Sequence, residues 1–271
     1  MYLEKNSVPE KKNAVFFCFF MALSSKLCIF AGVKALLVMQ NDSYANEIRA
    51  AVEYFWKKKN AQRTASGDTS NRGAVTGGKQ LDGFLRLLVK VALDAGVPER
   101  CIYTKNSYLP GFFRSSKDWD FLVISPSRKL IATIELKSQV GSYGNNFNNR
   151  TEEAIGSAVD LWTAFRENQF PGQQAPWVGY MMIIGKDAKS VREVHNSAPH
   201  FPVRPEFEGA SYIDRYRLLC QKLIQERHYT AAALLATGSM YDYEDVAEGI
   251  AIHNFLSSFA GHLKGQAHEF E

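Results

Sequence analysis

Cysteine is scarce in this 271-residue chain, which contains four. They are Cys18, Cys28, Cys101 and Cys220, and no two of them have the spacing of a metal-ligand pair. Zinc fingers and zinc ribbons are therefore excluded, and four scattered cysteines are too few for a disulfide framework in a chain of this length. This usage is typical of a reducing compartment, and we expect a cytoplasmic protein.

A large excess of charge of one sign is also lacking. The chain has 32 Lys and Arg against 28 Asp and Glu, a formal charge of +4, which allows a polyanionic partner without requiring one. Hydrophobic residues make up 46% and charged residues 22%. This composition excludes disorder, collagen-like repetition and a coiled coil, and it predicts a globular chain with a large core, in one elaborated domain or two small ones.

Long apolar runs are missing except near the N-terminus, where residues 14–38 are apolar apart from a few residues that include Lys26 and Lys34. Three interpretations stay open: a signal peptide, a membrane span, or leader sequence ahead of the domain. Two lysines within a span are costly in hydrocarbon, and we favour a leader. We predict that residues 1–40 are an extension outside the catalytic domain, that residues 41–271 form that domain, and that there is no membrane partner.

The hydrophobic pattern predicts an α/β fold with a helical C-terminal part. Apolar residues recur at helical spacing after Asn41-Asp42-Ser43, up to Lys57-Lys58-Lys59, and again over residues 81–93. Two strands, 119–125 and 130–137, flank a turn at Pro126-Ser127-Arg128. The remaining expectations, in order, are a polar loop at 141–149, a helix from Thr151, a buried strand at 177–185, a loop at 196–209, and helices at about 211–226, 229–237 and 243–262.

Three charged residues on this hairpin form the strongest candidate site. Side chains alternate along a strand, so Glu135 and Lys137 project to one face. If the hairpin turns over residues 126–129, Asp120 lies opposite Glu135. If it turns over residues 125–128 instead, Asp120 lies diagonally to Glu135. Both registers place the two carboxylates on one face, whereas a slip of one residue separates them.

Two carboxylates on neighbouring strands repel each other, and a divalent cation relieves that repulsion. Hard oxygen ligands suit Mg²⁺, and Lys137 beside them can stabilise a phosphoryl oxygen or help to deprotonate water. Asp120, Glu135 and Lys137 thus outline metal-assisted phosphodiester hydrolysis, with Asp120 and Glu135 as metal ligands. The alternative is structural: Asp120 caps a strand, and Glu135 and Lys137 point to solvent.

The arrangement resembles the PD-(D/E)XK nuclease core, with Trp119-Asp120 in place of the family's Pro-Asp and Glu135-Leu136-Lys137 as its E-x-K. The resemblance is closer to the XhoI-type restriction endonucleases and covers about residues 44–260. It is carried by Arg72–Lys79, Leu81-Asp82-Gly83, Lys117–Asp120, Ile134–Gln139, Asn145–Glu153 and Tyr212–Tyr216.

The resemblance implies a mixed central sheet flanked by helices. It also implies a type II restriction endonuclease of a restriction–modification system, which needs Mg²⁺, acts as a homodimer and cuts double-stranded DNA at the palindrome CTCGAG.

Several residues are candidates for DNA contacts. Residues 57–90 carry eight basic and two acidic residues, a pattern typical of a phosphate-binding surface or of a solvated helix end. The asparagine-rich segment after the second hairpin strand can read bases, since Asn pairs with adenine and Arg with guanine, or it can be a polar turn. The predicted DNA-binding residues are Arg72, Lys79, Gln139, Asn145, Asn146, Asn148, Asn149 and Arg150.

Three rival functions remain on sequence alone. The same core also supports a structure-specific or repair nuclease, and a catalytically inert core supports a DNA-binding protein. The N-terminal run leaves open a secreted or membrane-attached protein. The cut position, the number of metal ions, the dimer interface and the base contacts of single residues do not follow from the sequence.

Overall fold

A six-stranded mixed sheet forms the centre of the structure, a computed structural model that describes residues 44–65 and 78–271. The predictions for residues 1–40 and for Arg72 lie outside the described residues. The helices of the described part are α1 (Ala45–Ala65), α2 (Asp82–Asp94), α3 (Tyr143–Arg166), α4 (Tyr212–Gln225) and α5 (Ile252–Gly265). None of them is long and apolar enough to cross a membrane.

The strands divide between the central sheet and a small second sheet. They are β1 (Ile102–Tyr103), β2 (Tyr108–Leu109), β3 (Lys117–Asp118), β4 (Phe121–Ile124), β5 (Leu130–Gln139), β6 (Trp177–Gly185), β7 (Ala231–Ser239) and β8 (Asp242–Asp245). The central sheet has the order β1-β4-β5-β6-β7-β8, and β2 pairs with β3 separately. β5, β6 and β7 run parallel, and the outer pairs are antiparallel.

Helices cover both faces of the sheet. On one face, Tyr180 and Met182 of β6 join a buried cluster with side chains of α3 and α4. On the other face, Phe121 of β4 meets Phe259 of α5 with ring centroids 5.8 Å apart, and Trp56 of α1 donates a hydrogen bond of 2.8 Å to Thr237. The expected mixed sheet flanked by helices is confirmed.

The predicted helix at 229–237 is wrong, because most of this segment is β7, a strand of the central sheet. Its alanines and leucines favour a helix intrinsically, but β7 is hydrogen-bonded to β6 and β8, and Ala232–Ala236 are buried. A short run that is apolar on both faces does not distinguish a buried strand from a buried helix. The helix predicted at 243–262 is also partly wrong, since β8 takes its start, and the C-terminal part is therefore mixed rather than helical.

The predicted loop at 141–149 is wrong as well, since α3 begins at Tyr143 rather than at Thr151. Gly141 and Ser142 make a tight turn from β5 with φ of 74° and 45°. Tyr143 and Phe147, one helical turn apart, pack against Tyr212 of α4. These aromatic contacts extend the apolar stripe of α3 back through the asparagine-rich segment.

Gly179 in β6 has no room for a side chain. A methyl group there would lie 2.8 Å from Phe255 and closer still to the Trp177 ring. We expect Gly179→Ala to lower the free energy of unfolding by about 1–3 kcal/mol through overpacking, as measured by urea denaturation. Gly156→Ala is the control, because a methyl group there would meet nothing within 4 Å apart from the adjacent residues and backbone of its own helix. Equal stability of the two variants would contradict the packing described here.

Candidate active site

The pairing of β4 with β5 brings Asp120 and Glu135 together. Phe121 pairs with Ile134 and Leu122 with Thr133, so one further step of the same register sets Asp120 opposite Glu135. Nearer the turn the register shifts by one residue, at Val123 and Ile124. The structure thus has the first of the two predicted registers at the site.

Glu135 is the centre of the site and is only 3% exposed. It faces the α3–α4 side of the sheet, because its paired residue on β6 is Tyr180, which belongs to the buried cluster with α3 and α4. Its Oε1 accepts a hydrogen bond from Lys137 Nζ, and its Oε2 accepts one from Lys117 Nζ at 2.6 Å. Glu135 and Lys137 therefore do not simply point to solvent.

Asp120 presents one free carboxylate oxygen beside Glu135. Its Oδ2 accepts a hydrogen bond of 2.7 Å from the backbone N–H of Leu136, while Oδ1 accepts none from the described part of the chain. Burial raises the pKa of Asp120 and the charge of Glu135 raises it further, to about 6, against the opposing effects of Lys137, the Leu136 N–H and Lys117. The raised pKa is the electrostatic sign of two carboxylates that share a poorly solvated site.

Lys137 is held in its charged form. Burial lowers the pKa of Lys137, but the carboxylates of Glu135 and Asp120 outweigh this effect and bring the pKa above its ordinary value. An ammonium that keeps its proton suits stabilisation of negative charge better than removal of a proton from water. Of the two roles considered for Lys137, the raised pKa favours stabilisation of a phosphoryl oxygen.

Asp118, the neighbouring acidic residue, belongs to a different sheet. It pairs with Tyr108 across β2 and β3, and its Oδ1 accepts a hydrogen bond of 3.1 Å from Ser107. Asp118 is exposed. The geometry therefore joins Asp120, and not Asp118, to Glu135.

The donor set fits a hard divalent cation. Asp120 and Glu135 supply carboxylate oxygens, the ligands that Mg²⁺ prefers, and Mg²⁺ commonly takes one or two carboxylates and completes its shell with water and substrate phosphate. Within residues 44–65 and 78–271 there is no group of three or more His, Cys, Asp or Glu side chains able to enclose a metal ion. A site of two carboxylates is open to a substrate.

The predicted DNA-binding residues divide by exposure. Lys79 is exposed in a short 3₁₀ turn, Lys79–Leu81, before α2. Gln139 is 6% exposed, and its side-chain amide donates to the carbonyl oxygen of Gly141. The geometry gives Gln139 a role in closing the turn between β5 and α3 rather than in contacting a base.

The asparagine-rich segment forms the first turns of α3. Asn145, Asn148 and Asn149 are exposed, whereas Asn146 donates to the carbonyl oxygen of Ser142 at 3.0 Å. Arg150 is ion-paired with Glu153 at 2.6 Å. Since α3 starts just after β5 ends, the exposed asparagines follow directly from the strand that carries Glu135 and Lys137.

Three residues of this region were missed by the sequence analysis. Lys117 binds Glu135, as described above. Gln80 is 3% exposed and donates to Ser138 Oγ of β5 at 3.1 Å, which ties the turn before α2 to the opposite face of that strand. Asp160 of α3 holds the loop between β2 and β3. These contacts join residues that are distant in sequence. Only the contact of Lys117 had a signal in the sequence, because Lys117 lies three residues before Asp120 in the same motif.

Asp160 accepts three hydrogen bonds from the β2–β3 loop. The N–H groups of Phe112 and Phe113 donate to Oδ1 at 2.8 and 2.7 Å, and Arg114 Nε donates to Oδ2 at 2.8 Å. Burial raises the pKa of Asp160, but these donors outweigh it and the pKa lies below its ordinary value. The loop that leads into Lys117 is therefore anchored by an ionised carboxylate.

We expect Asp160→Ala to lower the free energy of unfolding by about 2 kcal/mol at pH 7, since it removes three hydrogen bonds to a buried, charged acceptor. Because the folded-state pKa is depressed, the contribution of the carboxylate is complete above the unfolded pKa of about 4 and is lost as the pH falls through the folded value. Urea denaturation at pH 7 and pH 3 tests this. A difference between wild type and variant that does not shrink at pH 3 would contradict it.

The chain matches the family model described as "Restriction endonuclease XhoI" over residues 59–249. Among curated proteins, it is 45% identical over 216 residues to the type II restriction enzyme BstVI of Geobacillus stearothermophilus, covering 76% of this chain and 96% of that protein. It is 44% identical over 191 residues to the type II restriction enzyme XhoI of Xanthomonas vasicola, covering 67% and 75% of the two chains.

A third relative, the type II restriction enzyme AbrI of Azospirillum brasilense, is 39% identical over 172 residues, which cover 61% of this chain and 77% of that protein. No solved structure matches the chain significantly.

The fold and the matches together define a restriction endonuclease with a mixed α/β core. The chain belongs to the XhoI restriction endonuclease family. It is accordingly a type II restriction enzyme, a site-specific deoxyribonuclease, as the family resemblance of the sequence predicted.

Proposed function

We propose that this enzyme makes a Mg²⁺-dependent double-strand cut in DNA at the palindrome CTCGAG, through a PD-(D/E)XK site formed by Asp120, Glu135 and Lys137. The observation that carries the proposal is the contact of Lys137 with Glu135 on β5, opposite Asp120, which directly precedes β4. The preference for CTCGAG is the one that the resemblance to the XhoI-type endonucleases implies, and the family match supports that resemblance. A cytoplasmic location is the expectation that goes with this function.

Each residue of the site has a distinct task in this proposal. Asp120 Oδ1 and the Glu135 carboxylate would hold the divalent cation, which would supply positive charge to the scissile phosphate and acidify water. Lys137 keeps its proton and places its ammonium where negative charge develops on the phosphoryl oxygens. The Leu136 N–H fixes Asp120 in orientation through its bond to Oδ2.

Cleavage of matched plasmids tests the function. One supercoiled plasmid contains a single CTCGAG, and the control differs from it by one base pair within that site. We expect linear product from the first plasmid alone, with Mg²⁺ and not with EDTA. A smear from both plasmids would instead indicate a structure-specific or repair nuclease, and tight binding of CTCGAG without cutting would indicate an inert DNA-binding protein.

In this proposal, different exposed residues would contact the DNA bases and the DNA backbone. Exposed Asn149 lies beyond the catalytic strand and is our candidate for a base contact, whereas exposed Lys79 is our candidate for a phosphate contact. Asn149→Ala should reduce discrimination against the one-base variant of the site by about 1–3 kcal/mol. Lys79→Ala should weaken both duplexes alike and lower the salt slope by about 1. Fluorescence anisotropy in Ca²⁺ measures both, and the opposite assignment of effects would overturn this division.

A homodimer accounts for a palindromic site. The described chain carries one Asp120–Glu135–Lys137 constellation, and two copies related by a two-fold axis would read one half-site and cut one strand each. Sedimentation on uncut CTCGAG duplex in Ca²⁺ should give two chains per duplex. One chain per duplex would contradict the dimer.

A further inference from the structure

Lys117 is a second lysine in the active site. It lies in β3, outside the central sheet, yet its Nζ is 2.6 Å from Glu135 Oε2. The side chains of Lys117 and Glu135 are 12% and 4% exposed. An ion pair this buried is not the weak, solvated kind found on surfaces.

The two lysines occupy both oxygens of the Glu135 carboxylate. Lys137 takes Oε1 and Lys117 takes Oε2. A divalent cation bound at Glu135 would share an oxygen with an ammonium group and would be repelled by it at close range. Because of this repulsion, binding of a metal ion at Glu135 is favoured when one ammonium withdraws.

Of the two lysines, Lys117 has alternative partners for its ammonium group. Its Nζ already lies 3.1 Å from the carbonyl oxygen of Asp118 and 4.7 Å from the centre of the Trp119 ring, which gives the ammonium a second set of partners. Lys137 has fewer alternatives, because it stands two residues from Glu135 on the same strand and faces both acidic groups of the site.

We propose that Lys117 is a positioning residue that occupies the Glu135 carboxylate in place of the divalent cation and yields it when the cation binds. This inference rests on the proposed function, in which Glu135 is a metal ligand. In the metal-free enzyme, Lys117 and Lys137 together balance the charges of Asp120 and Glu135. Lys117 thereby keeps the buried site ordered without metal and weakens its affinity for metal.

Removal of the Lys117 charge should therefore tighten metal binding. In a titration of the full-length protein with Mn²⁺, followed by electron paramagnetic resonance, we expect Lys117→Met to lower the dissociation constant at least about fivefold, the size of one unit charge acting at 4 Å in water. Lys117→Arg, which keeps the charge, should stay near wild type. Lys129→Met is the matched control, since it removes an ammonium from a 2.6 Å pair with Glu269 elsewhere on β5's hairpin.

The alternatives predict different results. If Lys117 served to orient Glu135 for the metal, Lys117→Met would bind Mn²⁺ more weakly than wild type, and this result or an unchanged affinity would overturn the proposal. Lys117→Gln supplies a second neutral variant should Lys117→Met fail to fold, as judged by circular dichroism. A wild-type protein whose Mn²⁺ affinity is unchanged by Glu135→Gln would instead refute the metal site of the proposed function, and the placeholder role with it.

Discussion

Cleavage by Lys137→Met is expected to be slower than wild type by at least about 100-fold under single-turnover conditions, the usual cost of removing one electrostatic stabiliser of a transition state. Lys137 carries its full charge because Glu135 and Asp120 raise its pKa despite burial. Methionine keeps the aliphatic volume of the side chain and removes the ammonium, so packing beside Met182 of β6 should persist. Binding of CTCGAG duplex in Ca²⁺ should change little.

Lys129→Met serves as the control for Lys137→Met. Lys129 forms its ion pair with Glu269 at the turn end of β5, away from Asp120. A loss of less than about tenfold for Lys137→Met, or an equal loss for Lys129→Met, would show that the Lys137 ammonium does not act on the reacting phosphate.

The second large effect separates two neighbouring carboxylates. Asp120→Asn should abolish detectable Mg²⁺-dependent cleavage, whereas Asp118→Asn should keep most of it. Asp120 faces Glu135 across the β4–β5 pair, while Asp118 lies in the small β2–β3 sheet with Ser107. Asparagine preserves the shape and removes the negative charge that offsets the charge of a divalent cation in a poorly solvated site.

Both aspartate variants should be compared at saturating DNA and over a range of Mg²⁺ concentrations. If Asp118→Asn were inactive and Asp120→Asn active, the catalytic aspartate would be Asp118 and the site would extend onto the β2–β3 sheet. Equal, small losses in both variants would remove the motif from the active site altogether.

The sequence was sufficient to predict the hairpin that carries the candidate site. Alternation along β5 put Glu135 and Lys137 on one face, and the turn signal at Pro126-Ser127-Arg128 limited the register to two choices that both included Asp120. These are local rules, and the structure follows them. The uninterrupted apolar run of β6 was likewise readable as a buried strand.

The failures have tertiary causes. β7 is a strand because its neighbours β6 and β8 supply hydrogen bonds to it. Its alanine-rich sequence does not reveal that these neighbours are there. The asparagines of α3 are helical because Tyr143 and Phe147 pack against α4, nearly seventy residues further on. Lys117 contacts Glu135 at the end of a loop that Asp160 holds in place, and a contact of this kind does not follow from local sequence rules.

The most direct test of the active-site assignment is the position of bound Mn²⁺ in crystals of the enzyme with uncut CTCGAG duplex, located by anomalous scattering. We predict a peak in contact with the carboxylates of both Asp120 and Glu135, lost in crystals of Asp120→Asn. A peak at Asp118, or one that persists unchanged in Asp120→Asn, would contradict the assignment.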